Sequence, residues 1–257
     1  MAPTTAPART GGTPEVDTPE PRVVAPVAAA TGALFRGLSA LRGSRIAHPR
    51  GVGYEATLHI EEPVPDAAGV PLLHEPGEHT ALVRFSRSAG FPEPLPDLLG
   101  LSVRLVGVHG KDRHQDFMLI TSAAGPGHFL LLPGLRGFFA QPYSSVLPYR
   151  VGRSLRLVGA LPESHVPHSR SVGAVPALVE AAGRPEGVAF RMALAAPARP
   201  WRSFGLLQTH ARISDEEAEE IRFNPWNTGG GIRPAGPLMG LRKAAYEGSQ
   251  QGRGALE

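Results

Sequence analysis

The most restrictive feature of this 257-residue sequence is its load of chain-breaking residues. It carries 31 glycines and 27 prolines, close to a quarter of the chain, where average usage is roughly 12%. Glycine loses the most freedom on ordering and proline removes a backbone donor, so neither suits a long helix interior. Long helices must therefore be few, and the fold has to be assembled from short extended segments bounded by turns. Hydrophobic residues at 42% and charged residues at 19% are a globular balance, enough for one substantial core and inconsistent with disorder of the whole chain.

Cysteine is absent, which removes disulfides, thiolate nucleophiles and Cys-ligated metals and leaves only N and O donors for a metal. No stretch approaches the roughly 18 apolar residues of a membrane-spanning helix. The most apolar N-terminal run, 23–35, is broken by Pro26 and follows an acidic segment, unlike the basic start of a secretory signal. A soluble, cytoplasmic protein is expected. The formal charge is +3, from 24 arginines and two lysines against 23 acidic residues. Arginine suits bidentate binding of carboxylate or phosphate, although an Arg-, Ala-, Gly- and Pro-rich composition is equally what a coding bias produces. The arginines are scattered, without a basic stripe or an RNA-binding aromatic motif, so no nucleic-acid partner is expected.

Residues 1–28 are rich in Pro, Thr and Ala with no apolar period and read as a flexible tail, leaving 29–257 as a single domain. Leu34, Leu38 and Leu41 have helical spacing, which predicts a short helix over 33–41 stopped by Gly43. Strands are predicted at 54–61, 80–87, 99–106, 116–122, 188–195 and 203–213, each with β-branched or aromatic residues, alternation and Gly or Pro boundaries. The Pro-rich middle, 130–185, reads as holding short helices. Strands without intervening βα repeats predict an α+β protein built on an antiparallel sheet or barrel. Ser214 with Glu217 forms a capping box that opens a short acidic helix. The FNPWNTGGGIRP loop follows, with Phe223 and Trp226 as its anchors, then a final helix over 238–253.

Several common signatures fail on their context. Neither lysine sits in a phosphate-binding loop, and no GxSxG elbow is present. The glycines of GVGYEA at 51–56 open a strand rather than a helix, so they are not a dinucleotide-binding turn. HEPGEH at 74–79 has Pro76 and Gly77 inside it and reads as a surface turn, not a zinc helix. In the final helix, Arg242, Tyr246 and Arg253 fall along one face. A guanidinium beside a phenol favours the phenolate, the form that binds ferric iron. Taken alone, the same spacing is also that of an ordinary helix surface.

A second group of residues adds to this one: Arg45-Ile-Ala-His48-Pro-Arg-Gly51, followed by Val83-Arg84-Phe85-Ser86 on the next predicted strand. In these segments, and in Arg242, Tyr246, Ser249 and Arg253 near the end, the sequence resembles the haem catalase family. The family's distal segment has an Arg three residues before its His, then x-(Lys/Arg)-Gly, and later Val-Arg-Phe-Ser. Its proximal helix reads Arg-x-x-x-Tyr-x-Asp-Thr-x-x-x-Arg. All three motifs occur here in the family's order. The short length resembles a minimal, catalase-related peroxidase core that ends soon after its tyrosine helix.

The resemblance implies an antiparallel β-barrel with flanking helices that binds haem b. It implies Tyr246 as the axial iron ligand, held ionised by Arg242, and Arg45, Arg84 and Arg253 as partners of the haem propionates. His48 becomes the distal acid/base, taking a proton from bound peroxide and returning it to the departing oxygen. Ser86 would orient that imidazole, and Phe129 would pack against the haem or in the core. The family's distal Asn has no counterpart: counting from Asp116, its place falls at Thr121, with Ser122 as the alternative donor. The Asp after the tyrosine is replaced by Gly248. Fast H2O2 disproportionation is therefore not the expectation, and peroxidase turnover of H2O2 or organic hydroperoxides with an unidentified electron donor is. Rearrangement of a fatty-acid hydroperoxide and a haem-binding protein without efficient turnover stand as alternatives, and the missing family segments leave apolar surface for self-association.

Overall fold

The computed structural model describes residues 51–65, 67, 69–87, 97–134, 137–163 and 175–235. The predicted tail, the 33–41 helix and the 238–253 helix lie outside the described residues. Ten strands are present among them: β1 Gly51–Ile60, β2 Gly77–Arg87, β3 Leu99–Leu105, β4 Gln115–Thr121, β5 Tyr143–Ser144, β6 Tyr149–Val151, β7 Ser154–Pro162, β8 Ala189–Ala195, β9 Arg202–Arg212 and β10 Ile232–Pro234. The helices are short: α1 Pro71–His74, α2 Val175–Ala182 and α3 Asp215–Glu220, with a 3-10 turn at Gly125–Gly127.

Eight strands close into an antiparallel barrel in the order β7-β5-β4-β3-β2-β1-β9-β8, with β7 pairing β8 to complete the ring. Strands β6 and β10 form an annex that pairs with the first half of β7. Closure leaves the barrel strands no free edge, which removes the unpaired backbone groups that would otherwise need covering. All six predicted strands are present, with boundaries shifted by no more than three residues. The middle segment differs from expectation. It contributes β5, β6, β7 and one helix, where only short helices were expected. Residues 157–160 of β7 are buried on both faces, so the strand lacks the alternation that reveals a half-buried one.

Alternation along β1 and β2 sends Val52, Tyr54, Ala56 and Leu58 inward with Val83 and Phe85. The interior is aromatic at one end. Phe85 lies 5.7 Å from Phe190, 5.8 Å from Phe138 and 6.1 Å from Tyr54 between ring centroids, mostly in edge-to-face contacts. The Tyr143 hydroxyl donates to the Phe138 carbonyl at 2.7 Å, so this buried phenol is satisfied. The HEPGEH segment leaves α1, crosses an exposed turn and enters β2, which puts its two histidines on different elements. The capping box forms as expected, with Ser214 Oγ accepting from the Glu217 N–H at 3.2 Å and the Ser214 N–H donating to Glu217 Oε2 at 3.0 Å.

One polar knot ties the C-terminal part of the described chain to the barrel. Asp116 on β4 is fully buried and accepts from Arg104 Nε and Nη2 at 2.8 and 2.7 Å, a bidentate pair across the β3–β4 register. The same carboxylate accepts from the Asn224 N–H at 2.8 Å and from Asn227 Nδ2 at 3.0 Å. Arg104 also donates to the Arg222 carbonyl at 2.7 Å and lies over the Phe223 ring, 5.3 Å from its centroid. The loop that precedes β10 is thus gripped from the outside of the barrel, with Phe223 buried against it.

Removing the carboxylate strands a guanidinium that is only 13% exposed, so Asp116→Ala should cost roughly 3–5 kcal/mol, read as a fall in the urea midpoint. Burial pushes the imidazoles of His79 and His128 below their ordinary value of 6.5. The unfolded chain then takes up protons that the folded one refuses, so stability should fall as pH drops below 6.5. Denaturation curves at descending pH check this, and His79→Leu should flatten the decline.

Candidate functional site

The register of the ladders defines a row of outward-facing positions running across the barrel wall. Gly51 pairs Ser86, Ser86 pairs Gly100, Gly100 pairs Ile120, Ile120 pairs Ser144, and Ser144 pairs Gly159. One step along the strands, a second row holds Gly53, Arg84, Ser102 and Met118. Both rows alternate with the core-facing residues and so lie on the outside. Apart from Ile120, Met118 and Arg84, every side chain in these rows is no larger than serine, and the wall is therefore nearly flat.

Arg84 and Ser86 sit two residues apart on β2 and share this outer face. The Arg84 side chain bends toward the Gly51–Ser86 pair: a Cβ on Gly51 would fall 2.5 Å from Arg84 Nε and 2.7 Å from Cζ. Only glycine at 51 leaves room for that path. The guanidinium and the Ser86 hydroxyl therefore stand at the same end of the wall, where β1 begins. Gly53 is covered differently, since its outer side meets Ile213, just ahead of α3, and Ala218 within it. Helix α3 thus closes one flank beside Arg84.

Thr121 is not brought to this wall. It pairs with Tyr143, lies one residue beyond Ile120 and so faces the opposite side. It is fully buried there, and its hydroxyl accepts from the Leu99 N–H at 3.1 Å. Ser122, also fully buried, makes only long contacts to the Ala123 and Pro142 carbonyls, at 3.4 Å each. Phe129 is half-buried after the 3-10 turn and meets His128 edge-on, with centroids 6.2 Å apart. Arg45, His48, Arg242, Tyr246 and Arg253 lie outside the described residues.

A cluster that the sequence reading passed over adjoins the outer row. Trp201 covers Gly159, where a Cβ would fall 2.6 Å from its ring, and the His128 ring lies 4.6 Å away between centroids. Its partners come from the β4–β5 and β8–β9 connections, so no local pattern links them. Among the described residues no group of His, Asp or Glu is arranged to hold a metal ion. No helix of the described chain is long and apolar enough to cross a membrane.

No protein-family model and no curated protein sequence matches this chain. Solved structures do. A fungal catalase superposes with a TM-score of 0.61 at 13% identity, over 94% of this chain and 65% of the fungal one. A bacterial catalase gives 0.60 at 13% identity, over 96% and 67% respectively. Catalase A from Saccharomyces cerevisiae gives 0.58 at 13% identity, over 84% and 63%. The chain thus spans about two thirds of the length of the catalases it superposes on. At this identity the likeness shows the fold: a catalase-like antiparallel β-barrel with few, short helices.

Proposed function

We propose that this protein is a haem-dependent enzyme that reduces peroxides with electrons from an external donor, in which Tyr246 would hold the iron as a tyrosinate and His48 would serve as acid/base. The observation that carries the reading is the outer wall. A run of Gly51, Ser86 and Gly100 with no side chain larger than serine, bounded by Ile120 and with the Arg84 guanidinium laid over the other end, fits a planar apolar macrocycle whose carboxylates project from one edge. Its setting on a barrel of catalase-like fold supports the same reading. Haem, when bound, would supply an iron centre able to deliver electrons for breaking the O–O bond, which the external donor then restores.

The chain's own residues then have separate tasks. Tyr246 would hold the iron as phenolate, with Arg242, four residues earlier in the sequence, keeping the proton off the oxygen. Arg84, with Arg45 and Arg253, would pair the propionates and fix the macrocycle's orientation. His48 precedes Gly51 by three residues, and so short a stretch of chain spans at most about 11 Å. On this reading its imidazole would serve at the Arg84–Ser86 end of the wall. Ser86 would accept from one ring nitrogen and leave the other to take the peroxide proton and hand it to the departing oxygen. Phe129 would pack against the cofactor or remain part of the protein's own packing beside His128.

Peroxidase turnover is favoured over rapid H2O2 disproportionation by one specific observation. Thr121, the residue counted into the place of the family's distal amide, faces away from the wall with its hydroxyl already engaged by the Leu99 N–H. The same feature would also suit a haem protein that binds without efficient turnover, or one that rearranges organic hydroperoxides.

Titration with haem should give a stoichiometric Soret band and a high-spin ferric spectrum of tyrosinate type. Tyr246→Phe should abolish that signature. His48→Ala should keep it while slowing the reaction with peroxide by roughly 10²–10⁴-fold. Gly51→Val, which drives a side chain into Arg84, should weaken haem binding without unfolding the barrel. A folded chain that takes up no haem, or an unchanged spectrum in Tyr246→Phe, overturns the assignment.

A further inference from the structure

His128 and Trp201 pair at the opposite end of the outer row from Arg84 and Ser86, where Trp201 covers Gly159. The His128 ring is fully buried, and its Nε2 lies 3.0 Å from the Arg199 carbonyl oxygen. A carbonyl only accepts, so Nε2 carries the proton and the neutral ring presents Nδ1 as a bare lone pair. That Nδ1 is shielded from solvent and has no hydrogen-bond partner. Trp201 stacks beside it at 4.6 Å, and its indole Nε1, which can only donate, is likewise shielded and unmatched. One acceptor and one donor thus sit in adjoining rings, each without a protein group to satisfy it. Buried polar atoms in native proteins are rarely left so.

The charges nearby do not change this picture. Among the described residues of the two connections that meet at the ring and of the start of β9, the ionisable side chains besides His128 are Arg199 and Arg202, both exposed cations that disfavour a second positive charge. Burial alone already holds the imidazole neutral at neutral pH. A hydroxyl group both donates and accepts through a single oxygen, which is the complement of this pair. We infer that His128 and Trp201 together bind one hydroxyl group, its proton given to Nδ1 and its oxygen accepting from the Nε1 N–H. The hydroxyl is that of water, or of an alcohol or alkyl hydroperoxide whose apolar body rests on half-buried Phe129 and on Leu130, which is 53% exposed. This inference stands without haem.

The experiment uses the full chain labelled with 15N, with water, tert-butanol and tert-butyl hydroperoxide as probes. Trp201→Phe identifies the Trp201 indole resonance, since Trp226 remains as the other. If that variant fails to fold, cross-relaxation between the ring and Gly159 identifies it in the unaltered protein. The expected result is an indole N–H that cross-relaxes with a bound water, with His128 in the Nε2–H form and its Nδ1 shifted as an acceptor. Saturable displacement of that water by tert-butanol or the hydroperoxide, with cross-peaks to the tert-butyl methyls, identifies an organic source. Persistence of the water against both identifies water itself. An indole N–H that contacts neither water nor probe, or a His128 protonated on Nδ1, overturns the inference.

Discussion

Everything in this molecule depends on β7 pairing on both sides. It joins β5 and the β6–β10 annex along one edge and β8 along the other, and without it the sheet would be an open, strongly twisted ribbon with two long edges. Among the described residues no helix is longer than eight residues, too short to cover such edges, so closure is the available solution. Glycines then become useful on the outside. Where the wall carries no side chain, other groups can lie directly against the backbone: Arg84 over Gly51, Trp201 over Gly159, and α3 over Gly53. The barrel is filled from within by aromatic and branched residues and left smooth from without, and the smooth exterior is where the candidate chemistry lies.

The Asp116 knot serves a second purpose beyond stability. A single buried carboxylate collects the guanidinium of Arg104, the amide of Asn227 and the backbone of Asn224, residues that are distant in the sequence. It fixes where the chain leaves the barrel before β10, and hence the point from which the C-terminal segment departs. In the proposed function that segment carries the iron ligand, so a charge on β4 sets the starting point of the proximal side.

Much of the barrel was legible in the sequence because the six predicted strands alternate over much of their length, β8 losing the pattern only from Met192 onward, and burial of one face writes alternation into the residue order. The three strands of the middle segment were not. Two are only two and three residues long, and β7 is buried on both faces where it matters, so a continuous small-apolar run stood where alternation was sought. The Val-Arg-Phe-Ser stretch located Arg84 and Ser86 on a common face, since positions two apart on a strand must share one. Which face Thr121 takes could not be read that way. A slip of one residue moves a side chain from wall to core, and only the pairing of Thr121 with Tyr143 and the bond from Leu99 settle it. The His128–Trp201 pair left no trace in the sequence, because the contact joins two connections that no periodicity relates.

Barrel closure also dictates the order in which the chain can acquire its shape. The first strand pairs with the ninth, Tyr54 lying opposite Arg212, so the ring cannot be sealed until nearly all of the described chain exists. Pairings of such long sequence separation form slowly, on the order of milliseconds to seconds. Until then β1 and β9 present unpaired backbone to whatever is near. Synthesis from the N-terminus therefore passes through a stage with a nearly complete hairpin meander and two sticky margins. That interval, rather than the finished state, is when this molecule is most exposed to aggregation.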